Sequence, residues 1–252
     1  MKQFGNLYSQ YYDLLYRDKN YIAEVNYIIK LIKENMDQSK TLLDMGCGTG
    51  KHAELLSDNG YIVHGIDISE DMLKIAKNRS KNKEDKLLFS NSNIQDLNLN
   101  KKFDVVVSLF HVMNYQNSDN ELIKAFKVAK EHLKNDGIFI FDFWYGPAVL
   151  KDLPTIRIKR FINEKIRVTR IAEPVIYLDE NTVDVNYDVF IEDIKSKMII
   201  EKKEVHKMRY FFDDELDLIS KKVGFKFKHK YEWMSKKNPD LNSWNVVWVL
   251  KN

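Results

Sequence analysis

Apolar residues recur at helical spacing at Tyr21, Val25, Ile28 and Ile32, after which the chain turns to short unbroken apolar runs. Thr41–Met45, Tyr61–Ile66, Leu87–Ser90, Phe103–Leu109 and Ile138–Phe143 read as buried strands. Helices are expected between them. One carries Ala53 and Leu56 and is ended by Gly60; a second is capped by Ser69 and turns Met72 and Ala76 inward. A third is opened by the capping box of Ser118 and Glu121, carries Leu122, Ala125, Phe126, Ala129 and Leu133, and is ended by Gly137. Strand alternating with helix over residues 40–143 predicts an α/β fold with a parallel, doubly wound sheet, whose ligands bind at the carboxyl ends of the strands.

From about Thr155 the pattern changes. Lys165–Ile171, Thr182–Glu192 and Met198–Tyr210 alternate apolar and polar residues, as antiparallel strands exposed on one face do, with Asp193–Lys197 as a turn. An inserted antiparallel β lid over the site is expected. Asp213 is predicted to cap a helix bearing Leu216, Ile219 and Val223, with Gly224 at its end. Phe225–Met234 and Trp244–Leu250 then supply an antiparallel pair that brings the main sheet to seven strands. The polar connector MSKKNPDLNS between them is a candidate to reach a substrate.

The chain has 252 residues, room for one domain with an elaboration, and its 44% hydrophobic share is that of a soluble globular protein. With 40 basic against 37 acidic residues, no strong field draws it to nucleic acid or lipid. No apolar stretch approaches the roughly 18 residues that span a bilayer, and MKQFGNLYSQYYDLLY has tyrosines and acids where a leader would be apolar. Cys47 is the one cysteine, so no internal disulfide forms and a reducing, cytoplasmic setting is expected. The six histidines make no i, i+4 pair, and no metal site is expected. The edge of the inserted sheet is a surface on which two copies can pair as a homodimer.

The chemistry concentrates at LLDMGCGTG, residues 42–50, where Gly46, Gly48 and Gly50 follow a buried run and an acid. Glycine lets the backbone turn sharply and approach a ligand closely. A dinucleotide fingerprint would need glycine where Lys51 stands. Asp44 before the loop would repel a pyrophosphate but accepts hydrogen bonds from an ammonium group. A zwitterionic, cationic adenosine cofactor is implied, with Asp67 as the second acid.

These residues resemble motif I of the class I S-adenosylmethionine-dependent methyltransferases, and the likeness continues in order along the chain. Asp67 in YIVHGIDIS matches the acid that holds both ribose hydroxyls; Asn93 and Ile94 in SNIQD match the pair around adenine; FDVVVSLF resembles the fourth strand. The resemblance implies S-adenosyl-L-methionine as cofactor, S-adenosyl-L-homocysteine as product, and a shell of Tyr12, Tyr21, Asp44, Gly46, Cys47, Gly48, Asp67, Ile68, Met72, Asn93, Ile94 and Leu109. For Cys47 it is the backbone that serves the cofactor. Residues 1–150 would form the N-terminal helices and Rossmann-like core, 151–211 the lid, and 212–252 the last helix and two strands.

Methyl transfer mainly requires a nucleophile aligned about 3 Å from the methyl, and a base only if that nucleophile arrives protonated. His111, Tyr115 and Tyr16 are the candidate catalytic residues. His111 is either a base or a satisfied histidine behind the cofactor; Tyr115 either handles a proton or packs beneath the lid. The segment LFHVMNY lacks the Asn or Asp, prolines and aromatic of many nucleic-acid adenine methyltransferases, which favours a small-molecule substrate over nucleic acid.

Tyr12 and Tyr16, four residues apart in YYDLLYRDKNY, match a pattern of small-molecule methyltransferases in which this helix covers the methionyl end of the cofactor. That group includes the N,N-dimethyltransferases of nucleotide-linked amino sugars, which the chain resembles in outline through LFHVMNY, FDFWY, the insertion and HKMRYFFDDEL. The resemblance implies a nucleotide-activated or surface-polysaccharide sugar as substrate. It departs at Tyr115, where the group often has histidine, and at NPDLNSW, which replaces a glycine-rich phosphate-contacting stretch. Trp144 and Tyr145 are candidates to stack on the substrate, and His206 and Arg209 to clamp a phosphate or carboxylate, against the alternatives of lid packing and a strand salt bridge. Other readings keep the cofactor with an amino acid, a lipid precursor or RNA as acceptor, or keep only a non-catalytic nucleoside-binding module.

Overall fold

The computed structural model describes Tyr12 and residues 14–252. The first part of the tyrosine-rich N-terminal segment, on which the expectation of no leader was based, lies outside the described residues.

The larger sheet has seven strands: β1 (Thr41–Met45), β2 (Ile62–Asp67), β3 (Leu87–Asn91), β4 (Phe103–Ser108), β5 (Leu133–Trp144), β10 (Lys226–Glu232) and β11 (Asn245–Lys251), in the order β10-β11-β5-β4-β1-β2-β3. The first five run parallel, while β11 lies antiparallel to both β5 and β10. Alternation along each strand divides the core. Leu42, Val105, Val107, Ile138 and Ile140 face helix α1 (Tyr21–Asn35) through Val25, Ile28 and Ile32. Leu43, Val106, Phe139 and Phe141 face α4 (Asp119–Glu131) and α6 (Asp213–Val223) through Leu122, Phe126 and Leu216. Burial on both faces is why these strands are uninterrupted apolar runs.

Local signals set most helix starts. Gly50 in the left-handed region precedes α2 (Lys51–Asp58); the Ser69 hydroxyl accepts the Met72 N–H at the head of α3 (Glu70–Arg79); Ser118 and Glu121 close the expected box on α4. The Asp104 carboxylate accepts the N–H groups of Lys40 and Thr41 at 2.9 and 2.8 Å and the Thr41 hydroxyl at 2.8 Å, fixing the start of β1 against β4.

Two local expectations are corrected and two elements are added. Gly137 does not end α4: that helix stops at His132, whose ring nitrogens lie 2.8 Å from the Val128 carbonyl and 2.9 Å from the Leu99 amide, leaving Leu133 to open β5. Asp136 then takes a left-handed conformation where the pairing of β5 with β4 shifts register. Asp213 is the first residue of α6 and not its cap; Glu215 instead reaches back to accept the Phe212 N–H at 2.8 Å. A short helix α5 (Gly146–Lys151) and the strand β6 (Arg157–Ile162) were not foreseen.

The insertion is a four-stranded antiparallel sheet in the order β6-β7-β8-β9, with β7 Ile166–Tyr177, β8 Thr182–Asp193 and β9 Ile199–Arg209. Register sets its faces, because residues paired across neighbouring strands point the same way. Lys159, Arg170, Val189 and Lys202 form one row, Tyr187 pairs with Glu204 in the next, and Val185 with His206 beyond it. The insertion leaves and rejoins the main sheet at one place, where Tyr145 bridges Phe211, the Gly146 N–H donates to Phe211 O at 2.8 Å and the Phe211 N–H to Trp144 O at 2.9 Å.

Candidate active site

A cleft of about 260 Å³ opens between the carboxyl ends of β1, β2, β4 and β5 and the inserted sheet. Its floor is the glycine loop. Gly46 and Cys47 both donate to Ile66 O at 2.8 Å, and Gly50 N to Cys47 O at 2.9 Å, with Gly46, Gly48 and Gly50 at φ +84°, +55° and +76°. Gly46 lacks a side chain because Val112 fills that space. At Gly48 nothing stands within 4 Å of where a Cβ would be, so its backbone lies open to the cleft. The Cys47 thiol packs with Leu73 and Ala76, and burial followed by the charges of Asp67 and Asp44 pushes its ionisation well up, as suits packing and not nucleophilic attack.

The two acids differ. Asp67 accepts the Gly48 N–H and the Ser69 N–H at 2.8 Å each, one per carboxylate oxygen, which fixes the carboxylate at the edge of the cleft. Burial still raises its pKa above the ordinary value, those backbone bonds opposing it. Asp44 is buried, its Oδ2 has no hydrogen-bond partner, and burial reinforced by Asp67 lifts its pKa to about 7. An unpartnered carboxylate oxygen in a cleft is costly unless a donor arrives. The ammonium and diol of S-adenosylmethionine fit this pair.

A second cavity of about 220 Å³ adjoins the first through Gly46, Asp67, Val112 and Tyr115, and is lined also by Ile68, Asn93, Ile94, Gln95 and Gln116. Gln95 donates to Gln116 Oε1 at 2.7 Å, placing polar edges beside the apolar surfaces of Ile68 and Ile94. The shell expected from the sequence thus collects in two joined cavities: Tyr12, Tyr21, Asp44, Gly46, Cys47, Gly48, Asp67, Met72 and Leu109 line the first, and Ile68, Asn93 and Ile94 the second.

Tyr16, His111 and Tyr115 also line the first cavity. Phe110 and His111 both adopt left-handed backbone, at φ 66° and 63°, a sparsely populated state for residues with side chains. The His111 N–H reaches Asp142 Oδ1 at 3.3 Å, and its Nδ1 stands 2.7 Å from Oδ2 of that buried carboxylate. The ring is thereby oriented from behind. The Tyr115 hydroxyl lies 2.7 Å from Nδ1 of His206 on the inserted sheet. Tyr12 and Tyr16 pack with ring centroids 4.8 Å apart, and Tyr16 meets Phe110 edge-on at 5.0 Å.

The four substrate candidates divide. Trp144 and His206 line the cleft. Arg209 does not: it is buried and tied to Asp119 and Glu215 at 2.7 Å each, which is the strand salt bridge weighed against a phosphate clamp. Tyr145 is also outside the cleft, its hydroxyl donating to Asp213 at 3.0 Å, which ties α6 to the sheet. The connector MSKKNPDLNS contributes no lining residue; Trp244, next to it, packs behind Trp144 at 5.6 Å.

Several lining residues escaped the sequence. Lys159, Arg170 and Tyr187 descend from the inserted sheet, with the Arg170 guanidinium 4.7 Å from the Tyr187 ring and 3.4 Å from the Tyr16 hydroxyl. Burial, then Arg170 and Arg157, hold the Lys159 ammonium below its ordinary range. His52 comes from α2 and lines the cleft, with Nε2 2.7 Å from Glu24. The one available signal was strand parity: Lys159 is two residues from Arg157, and even positions of β9 place Glu204, His206 and Met208 on a common face.

Residues 42–137 match the family model described as a methyltransferase domain. The dTDP-3-amino-3,4,6-trideoxy-alpha-D-glucopyranose N,N-dimethyltransferase of Streptomyces venezuelae is 33% identical over 143 residues, 56% of this chain and 59% of that relative, so the chain spans little more than half of that protein's length. A crystal structure of a S-adenosylmethionine-dependent methyltransferase from Clostridium acetobutylicum superposes with a TM-score of 0.83 at 24% identity, covering 98% of both chains. The S-adenosylmethionine-bound amino pentose methyltransferase CalS10 of Micromonospora echinaspora gives 0.74 at 20% identity, over 93% and 92% of the two chains. Residues 42–137 thus constitute a methyltransferase domain, within a chain that has the overall fold of the S-adenosylmethionine-dependent methyltransferases.

Proposed function

We propose that this protein transfers the methyl group of S-adenosyl-L-methionine to an amine or hydroxyl of a small polar metabolite, a nucleotide-activated or surface-polysaccharide amino sugar, and releases S-adenosyl-L-homocysteine. The observation that carries the reading is Asp44: a buried carboxylate with one unpartnered oxygen, beside the open face of Gly48 and the Asp67 carboxylate. That arrangement calls for a ligand bearing an ammonium at one end and a diol at the other. The dTDP-linked amino sugar for which the streptomycete relative is named supports the acceptor class.

The opposite wall of the cleft supports an acceptor that carries phosphate. Lys159 and Arg170 are paired across β6 and β7, with Arg157 two positions along. Cations crowded at one wall depress one another's protonation until an anion sits between them. Arg170 is also stacked on Tyr187, a surface on which a sugar or base ring can lie.

Titration calorimetry with S-adenosyl-L-methionine and S-adenosyl-L-homocysteine tests the donor half, and absence of heat with either rejects it. Transfer of radiolabelled methyl to a panel of dTDP-amino sugars, free amines, amino acids and RNA tests the acceptor half. Label in RNA or amino acids alone rejects the sugar reading.

A further inference from the structure

A chain of buried polar groups runs from the cleft into the inserted sheet. The Tyr115 hydroxyl is 2.7 Å from Nδ1 of His206; His206 Nε2 is 3.4 Å from Oε2 of Glu204; the other oxygen of Glu204 is 2.6 Å from the Lys202 ammonium. Tyr115 and His206 line the cleft, and His206 and Glu204 are almost fully buried. Lys202, Glu204 and His206 share one face because they are alternate residues of β9. A carboxylate paired to an ammonium only accepts hydrogen bonds, so Nε2 carries the ring proton and Nδ1 presents a lone pair to the tyrosine. The tyrosine O–H therefore points at His206, and its oxygen lies on the wall of the cleft.

We infer that Tyr115 and His206 form a two-step proton relay that deprotonates the acceptor, with Glu204 as a positioning residue held in turn by Lys202. The inference rests on the methyltransferase reading. Bound S-adenosylmethionine supplies the electrophilic methyl. The acceptor N–H, or O–H, breaks as its proton passes to the Tyr115 oxygen, while the Tyr115 O–H breaks and its proton passes to His206 Nδ1. The tyrosine ends neutral, as it began, and the positive charge rests on an imidazolium facing the Glu204 carboxylate. His206 resets by releasing the proton to solvent as product leaves. This explains how a phenol can serve although burial, with Tyr187, Tyr16, Glu204 and Asp67 around it, sets its own ionisation well above the ordinary value: no phenolate forms. It also gives a function to the departure at Tyr115: here the imidazole stands on the inserted sheet and is reached through the Tyr115 hydroxyl.

Two measurements test it. Nitrogen-15 NMR of the histidine rings, assigned with His206→Asn, reads the tautomer in the protein bound to S-adenosylhomocysteine without any acceptor. The expected result is a neutral His206 protonated on Nε2, whose Nδ1 resonance shifts in Tyr115→Phe; a proton on Nδ1 overturns the relay. The second is the pH profile of kcat with a dTDP-3-amino sugar. Tyr115→Phe and His206→Asn should each lower kcat by roughly 100-fold or more, the range of lost acid–base catalysis, with a native circular dichroism spectrum as the control for folding. Glu204→Gln should cost roughly 10-fold and move the acid limb to lower pH, because loss of the carboxylate makes the imidazole easier to deprotonate. His206→Asn with native kcat and an unaltered acid limb overturns the relay. Failure of every acceptor to turn over would count against the proposed substrate, and the tautomer measurement would still decide the relay.

Discussion

Both methyl groups of Val112 occupy the space where Gly46 has no side chain: a Cβ on Gly46 would stand 2.7 Å from Cγ2 and closer still to Cγ1. Gly46 also sits at φ +84°. The loop after β1 and the turn after β4 are therefore fitted to each other, and the two cavities meet across this contact. Gly46→Ala should destabilise the protein by roughly 2–4 kcal/mol, combining overpacking with a left-handed backbone, and weaken S-adenosylmethionine binding. Adding Val112→Ala should recover the overpacking part and leave the backbone part. Urea denaturation of the single and double variants separates them; a Gly46→Ala protein of native stability would show that the loop is not so constrained.

Asp44 should set the pH dependence of the ligand-free protein. Its folded pKa of about 7 lies above the ordinary 3.8, so the unfolded chain loses this proton first as pH rises. The contribution of Asp44 is then fully present below about pH 4 and is lost as pH climbs through 7. Asp44→Asn is expected to flatten stability between pH 5 and 8, to raise it at pH 8, and to weaken donor binding by roughly 10- to 100-fold, the worth of a charge-assisted hydrogen bond. Donor binding to the native protein should release a proton near pH 6.5, read by calorimetry in buffers of different ionisation enthalpy. No proton release would remove the basis for this assignment.

Asp104 has the opposite sign. Burial works against its charge, but the Lys134 ammonium and the N–H groups and hydroxyl at Lys40 and Thr41 hold its pKa at about 2. Its contribution is fully present above the ordinary 3.8 and disappears as pH falls through 2. Asp104→Asn should cost roughly 1 kcal/mol at pH 7 after allowing for solvent screening, and the difference from the native protein should vanish near pH 2. A difference that persists at that pH would mean the amide disturbs the start of β1 sterically.

Arg170 and Lys159 are expected to act on the acceptor alone. Arg170→Gln should raise KM for a dTDP-amino sugar by roughly 10- to 100-fold, with a smaller effect on kcat, and Lys159→Ala by less, since its side chain is at the rim of the cleft. The same variants should bind S-adenosylhomocysteine as the native protein does. If KM for the nucleotide sugar stays constant in both, these cations do not face its phosphates.

The contrast between the two sheets explains what could be read in advance. Strands buried on both faces, such as Val105–Val107 in β4, announce themselves as unbroken apolar runs, although β5 begins at Leu133, five residues before the run that marks it. The glycine loop and both acids were legible because backbone geometry demands glycine there and a cationic ligand demands carboxylates. The inserted sheet was harder. Its outer face carries exposed Ile158, Ile162, Val175 and Val205, so alternation alone leaves open which side turns inward. The inward row of Lys159, Arg170 and Lys202 follows only from register across three strand pairings, which no local window contains. The choice between clamp and salt bridge for Arg209 was open for a related reason: its partners Asp119 and Glu215 belong to α4 and α6. Gly137 looked like a helix terminator because the side chain of His132, which closes that helix, is a tertiary device.

The paired backbone bonds between Gly146 and Phe211 and between Phe211 and Trp144 place both crossings into the inserted sheet side by side. A stretch that departs and returns through one doorway can be exchanged for another of different length without shifting the register on either side. Drift or deliberate grafting can therefore rewrite the acceptor wall while the donor half stays as it is, and a chimaera cut at residues 146 and 210 is the natural starting point for redirecting which acceptor is modified.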